Sequence, residues 1–86
     1  MSAYKHELCL LIELAKTFLE KQDDKQFYFY CGKVSQLCKF MIQEQKDRNI
    51  RSMTILVEVS KALDPFGAMT PIVFTFNKAL DMIRTI

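Results

Sequence analysis

Phe27-Tyr28-Phe29-Tyr30-Cys31-Gly32-Lys33-Val34-Ser35-Gln36-Leu37-Cys38-Lys39-Phe40-Met41-Ile42 is the stretch on which the fold turns. Its first four residues are all aromatic and, taken alone, favour a strand. The apolar residues that follow do not alternate. Phe27, Tyr30, Cys31, Val34, Leu37, Cys38, Met41 and Ile42 recur at helical spacing and mark one face of an α-helix. A period sustained over this length outweighs the local propensity of four residues. Residues 24–46 are therefore predicted as a helix, with Asp23 or Asp24 as its cap. Gly32 falls on the polar side of that helix, where it costs about 1 kcal/mol relative to Ala. It marks a candidate close crossing of another backbone.

The same period runs on either side. Over residues 3–22, Tyr4, Leu8, Leu11, Ile12, Leu14, Ala15, Phe18 and Leu19 gather into an arc of about 160°, with Ser2 as the expected N-cap. Over residues 50–63 the apolar arc (Ile50, Met53, Ile55, Leu56, Val57, Val59, Ala62, Leu63) widens to about 240°. The β-branched content of residues 53–59 would also suit a strand, but a lone strand has no partner in an otherwise helical chain. Both prolines and one of the two glycines sit within Asp64-Pro65-Phe66-Gly67-Ala68-Met69-Thr70-Pro71, the strongest punctuation in the sequence. Thr70-Pro71 reads as the start of a last helix over residues 71–85, with a hydroxyl cap followed by Pro at the first helical position. Its core residues are expected to be Ile72, Val73, Phe76, Ala79, Leu80, Met82, Ile83 and Ile86. The fold class that follows is all-α, a small antiparallel four-helix arrangement in one domain.

Eighty-six residues leave room for one core, and a chain of that length buries only about 60% of the surface its unfolded form exposes. Half of the residues are nonetheless apolar, at the top of the usual range. A small chain with that much apolar side chain is expected to cover some of it with a partner or a second copy. The net charge is +2 and the twelve basic residues are scattered. The one local concentration, Lys46, Arg48 and Arg51, is the basis of an alternative reading as a small dimeric DNA-binding regulator. It is too sparse for the dense basic stripe that nucleic acid demands. Three cysteines, an odd number, argue for reduced thiols. Cys31 and Cys38 stand seven residues apart in one helix, beyond disulfide reach. Leu8-Cys9-Leu10-Leu11-Ile12 is too short for a signal segment, no run is long enough to span a membrane, and a cytoplasmic setting is expected.

The chemistry-bearing residues do not assemble into a catalytic pattern. His6 lies on the polar face of the first helix; with Cys9 three residues on, it lacks an orienting third group. His6, Cys9, Cys31 and Cys38 have zinc-ligand types at the wrong spacing, and both later cysteines fall in the apolar stripe. No Gly-rich phosphate loop, EF-hand or H-E-x-x-H pattern occurs. The expectation is a non-enzymatic protein with no cofactor, no metal and no small-molecule substrate, acting by binding protein. Its candidate binding residues are those that miss their own helix's core arc. Phe29 and Phe40, eleven residues apart, return to nearly one angle with Lys33 and Gln36 beside them. Leu10 lies off the first arc, and Phe74 points away from the last beside Lys78 and Asp81. Aromatic anchors framed by polar residues are what a protein-binding surface presents. A neighbouring helix of the same chain covering Phe29 or Phe40 is the competing expectation.

Overall fold

A computed structural model of the protein describes residues 2–44, 50–64 and 72–85, with side chains from Tyr4 onward. Four helices account for nearly all of them: α1 (Ser2–Glu20), α2 (Asp24–Glu44), α3 (Ile50–Ala62) and α4 (Val73–Arg84). Residues 53–59 are helical, as their place in a helical chain requires. The α2 stripe is also placed as its period dictates, with Phe27, Cys31, Val34, Cys38 and Met41 buried.

Local chemistry accounts for the turns. Asp23 is the α2 cap: its carboxylate accepts from the Gln26 N–H at 3.3 Å and its carbonyl from the Phe27 N–H at 2.9 Å. Just before it, α1 closes in a Schellman arrangement, the Asp23 N–H bonding to the Phe18 carbonyl and the Gln22 N–H to the Leu19 carbonyl. That closure needs a left-handed residue, and Gln22 takes the role at φ 60°. Gln22→Gly is therefore expected to stabilise the protein by about 0.5–1 kcal/mol, since Gly holds this conformation without a Cβ penalty. A urea midpoint that falls in this variant would contradict that account.

The helices form a ring in which α1 packs on α2 and α4, and α3 packs on α2 and α4. Side-chain contacts give the directions. Tyr4 meets Phe40 edge-on at 5.1 Å and Phe18 stacks on Tyr30 at 5.4 Å, so α1 and α2 run antiparallel. Lys5 Nζ donates to the Arg84 carbonyl at 3.1 Å, joining the start of α1 to the end of α4. Ser35 and Ser60 share a hydroxyl contact of 3.3 Å between α2 and α3. Across the ring, Phe27 and Phe76 meet at 5.9 Å between ring centres and close the core from the diagonal helices. Leu8, Ile12, Met41, Leu56, Leu63 and Ile83 fill the space around them, all fully buried.

Four expectations change. The last helix begins at Val73 and not at residue 71, because Ile72 is extended and its N–H is held by the Thr75 hydroxyl at 3.4 Å; Thr70, Pro71 and Ile86 lie outside the described residues. The first helix ends at Glu20, with Lys21 and Gln22 in the turn that follows, and α2 is described only to Glu44. The wide apolar arc of α3 is only partly buried. Its buried residues are Ser52, Leu56 and Val59, with Leu63 buried just past its end, and Ile50 in its first turn is 80% exposed. Among the described residues no backbone crosses at Gly32: a Cβ built there would meet none of them within 4 Å.

Candidate functional site

The side chains that miss the core gather on two faces. On the outer side of the α1/α2 hairpin, Phe29 is 53% exposed and Phe40, Leu10, Tyr4 and Leu14 are exposed with it. A shallow depression lined by Glu7, Leu11, Lys33, Gln36, Leu37 and Phe40 joins the two helices there. Leu14 lies two turns beyond Glu7 on α1, with Leu10 between them, so both leucines extend the same side. Lys33 and Gln36 also wall a second, larger depression of about 660 Å³ on the other flank of α2, floored by Gly32 and rimmed by Tyr28, Phe29, Lys39 and Asp64. Phe29, Lys33, Gln36 and Phe40 thus form one ridge between two hollows.

Local contacts hold this ridge in shape. Phe40 is held edge-on by Tyr4, so α1 steadies its ring without covering it. Phe29 packs edge-on against Tyr30 at 5.2 Å, and the Lys33 ammonium lies 5.2 Å from the Phe29 ring centre, a cation–π contact. The competing expectation, burial by a neighbouring helix, holds for neither ring. Tyr4 and Leu14, expected in the core, are instead exposed: Leu14 lies at the edge of the α1 arc, and Tyr4, near the middle of the arc, lies in the first turn of the helix, where its ring meets Phe40.

Phe74 belongs elsewhere. It is 70% exposed and lines a groove of about 300 Å³ between α3 and α4 with Glu58, Ala62, Lys78 and Met82. Ile50, Met53 and Val57 continue the apolar surface along α3. The six expected binding residues are therefore divided: Leu10, Phe29, Lys33, Gln36 and Phe40 share the hairpin face and Phe74 sits on the α3/α4 face. The exposure of Ile50, Val57 and Ile72 was not legible, because an apolar residue on a helix reads as core until its neighbours are known. Of the alternative DNA-contacting set, Arg51 is exposed at the start of α3, and Lys46 and Arg48 lie outside the described residues.

Cys31 and Cys38 are buried in the core and Cys9 is half-buried. Burial pushes the Cys31 and Cys38 thiols up to about 12, with the Asp64 carboxylate adding to the effect at Cys31. Burial also raises Cys9, opposed by the charges of Arg84 and Lys5. A thiol held neutral in the folded chain but free to ionise in the unfolded one contributes stability that is complete below about pH 9 and lost as the pH rises towards about 12. A urea midpoint that declines from pH 8 to pH 10.5, with a shallower decline in Cys31→Val/Cys38→Val, is the expected result. Equal slopes in the two proteins would refute it. Among the described residues no three His, Cys, Asp or Glu side chains come close enough to hold a metal ion, and no helix is long and apolar enough to cross a membrane. Compared with protein-family models, curated proteins and solved structures, the chain matches none.

Proposed function

We propose that this protein acts by binding protein through the outer face of its α1/α2 hairpin, as a small regulator, inhibitor, adaptor or chaperone-like factor that also self-associates. One observation carries the reading: Tyr4, Leu10, Leu14, Phe29 and Phe40, five large apolar side chains of the adjacent helices α1 and α2, are exposed. Scattered exposed hydrophobes are ordinary on a protein surface, but a contiguous patch rimmed by polar groups is the mark of an interaction site. Lys33, Gln36 and Glu7 supply the polar rim. The Phe40 ring, steadied by Tyr4, is an anchor that loses little freedom on binding.

The test is affinity capture from the native host with quantitative mass spectrometry, run in parallel on the wild type, on Phe29→Ser/Phe40→Ser and on Phe74→Ser. Partners lost from the first variant and kept by the second support the hairpin face. Retention of every partner by Phe29→Ser/Phe40→Ser removes that face from the function.

A further inference from the structure

Phe29, Lys33, Gln36 and Phe40 follow one another at spacings of four, three and four residues. Those are the alternating steps of a heptad seam, the pattern by which one helix offers a continuous ridge to another. α2 packs on α1 and α3, and the ridge lies off its buried stripe: Phe29, Lys33, Gln36 and Phe40 are all exposed, with Phe40 touching Tyr4 of α1 at its edge. The ridge also reads the same from either end, aromatic outside and polar inside. A helix laid antiparallel on its own copy therefore meets a matching pattern.

We propose that the partner on this face is a second copy of the chain, in a two-fold symmetric dimer whose α2 helices run antiparallel with the axis between Lys33 and Gln36. This rests on the reading that the hairpin face binds protein, and it names the occupant. At each end Phe29 meets the second copy's Phe40, an aromatic pair repeated by symmetry. In the middle the Lys33 ammonium donates to the amide oxygen of the second copy's Gln36. Charge favours this register. Between Lys25 and Gln43, α2 carries three lysines and no carboxylate, so the nearest acid on the α1 side is Glu7, which shares the depression beside Phe40. Setting Phe40 of one copy against Phe29 of the other places each Lys33 opposite an uncharged Gln36 and turns Glu7, already beside its own Lys33, towards the second copy's Lys33 as well. A parallel pairing would instead stack Lys33 on Lys33 and leave Glu7 beside its own chain. Gly32 fits the same picture, because no described residue would touch a Cβ there, and α2 can be approached closely along that flank.

Sedimentation over a concentration series from low micromolar to millimolar tests the proposal with three samples: the wild type, Phe29→Glu and Phe40→Lys. The wild type is expected to dimerise, and each variant to weaken self-association at least about tenfold. An equimolar mixture of the two variants should recover the dimer to within about threefold, because the introduced carboxylate then faces the introduced ammonium at one end and an intact phenylalanine pair remains at the other. Should either variant fail to fold by circular dichroism, Lys33→Cys/Gln36→Cys in a Cys9→Ala background gives an independent readout. It should link two chains under mild oxidation where neither single cysteine variant does. A mixture no tighter than its components, or failure of the double cysteine variant to cross-link, overturns the antiparallel register. Loss of the dimer on Phe74→Glu instead would move the interface to the α3/α4 face and overturn the proposal. A wild type that is monomeric throughout, yet loses its captured partners on Phe29→Ser/Phe40→Ser, overturns the dimer and leaves the protein-binding reading standing.

Discussion

Phe76→Ala is expected to leave most of the protein unfolded in urea concentrations that the wild type tolerates. The ring is fully buried and meets Phe27 across the core, so its removal opens a cavity where α2 and α4 approach from opposite corners. Truncating a buried Phe costs about 3–5 kcal/mol. At the usual 0.05–0.15 kcal/mol per residue, a chain of 86 residues has about 4–13 kcal/mol in total. The two figures are of the same order, which is why this single change is expected to be the most damaging in the molecule. Phe74→Ala, two residues away on the same helix but largely exposed, should shift stability by less than about 0.5 kcal/mol. Urea titrations followed by circular dichroism compare the pair. Similar midpoints for the two variants would mean that the core does not depend on Phe76 as its burial implies.

Phe29→Ser/Phe40→Ser is expected to do the reverse, removing association while the fold persists. Central aromatic anchors of an interface cost about 2 kcal/mol or more each on truncation, so losing both should weaken binding by roughly a thousandfold. Both rings are exposed, and among the described residues Phe29 has ring contacts with Tyr30 and Lys33, and Phe40 with Tyr4. Their loss should therefore lower stability by no more than about 1 kcal/mol. The informative measurement is the pair of readouts together, partner affinity by titration and unfolding midpoint in urea. Undiminished affinity would show that the hairpin face is not used. A collapse of both would assign the rings to folding.

Much of this is legible in the sequence alone. The α2 stripe overrode its strand-favouring aromatic start because hydrogen bonding within a helix is settled over many residues and propensity over few. Phe29, Phe40, Leu10 and Phe74 were recognisable as misfits because their angles oppose the core arc of their own helix. Ile50 and Tyr4 were not, since each lies on an apolar arc and differs from its buried neighbours only in what stands opposite. Ser52, a polar residue in the buried face of α3, was invisible for the same reason in reverse.

The hairpin face with which the candidate site began divides along this line. Sequence by itself determined the helices, the ridge of Phe29, Lys33, Gln36 and Phe40 along α2, and the place of Leu10 and Phe74 off the core arc of their own helices. Those follow from the helical period, which is a property of one segment. Only the tertiary structure decided that Leu10 stands on the helix beside that ridge and Phe74 does not, that Tyr4 and Leu14 are exposed there too, and that no described residue lies over Gly32. Those depend on which helices are neighbours in the ring, and neighbourhood is set by the packing of the whole chain.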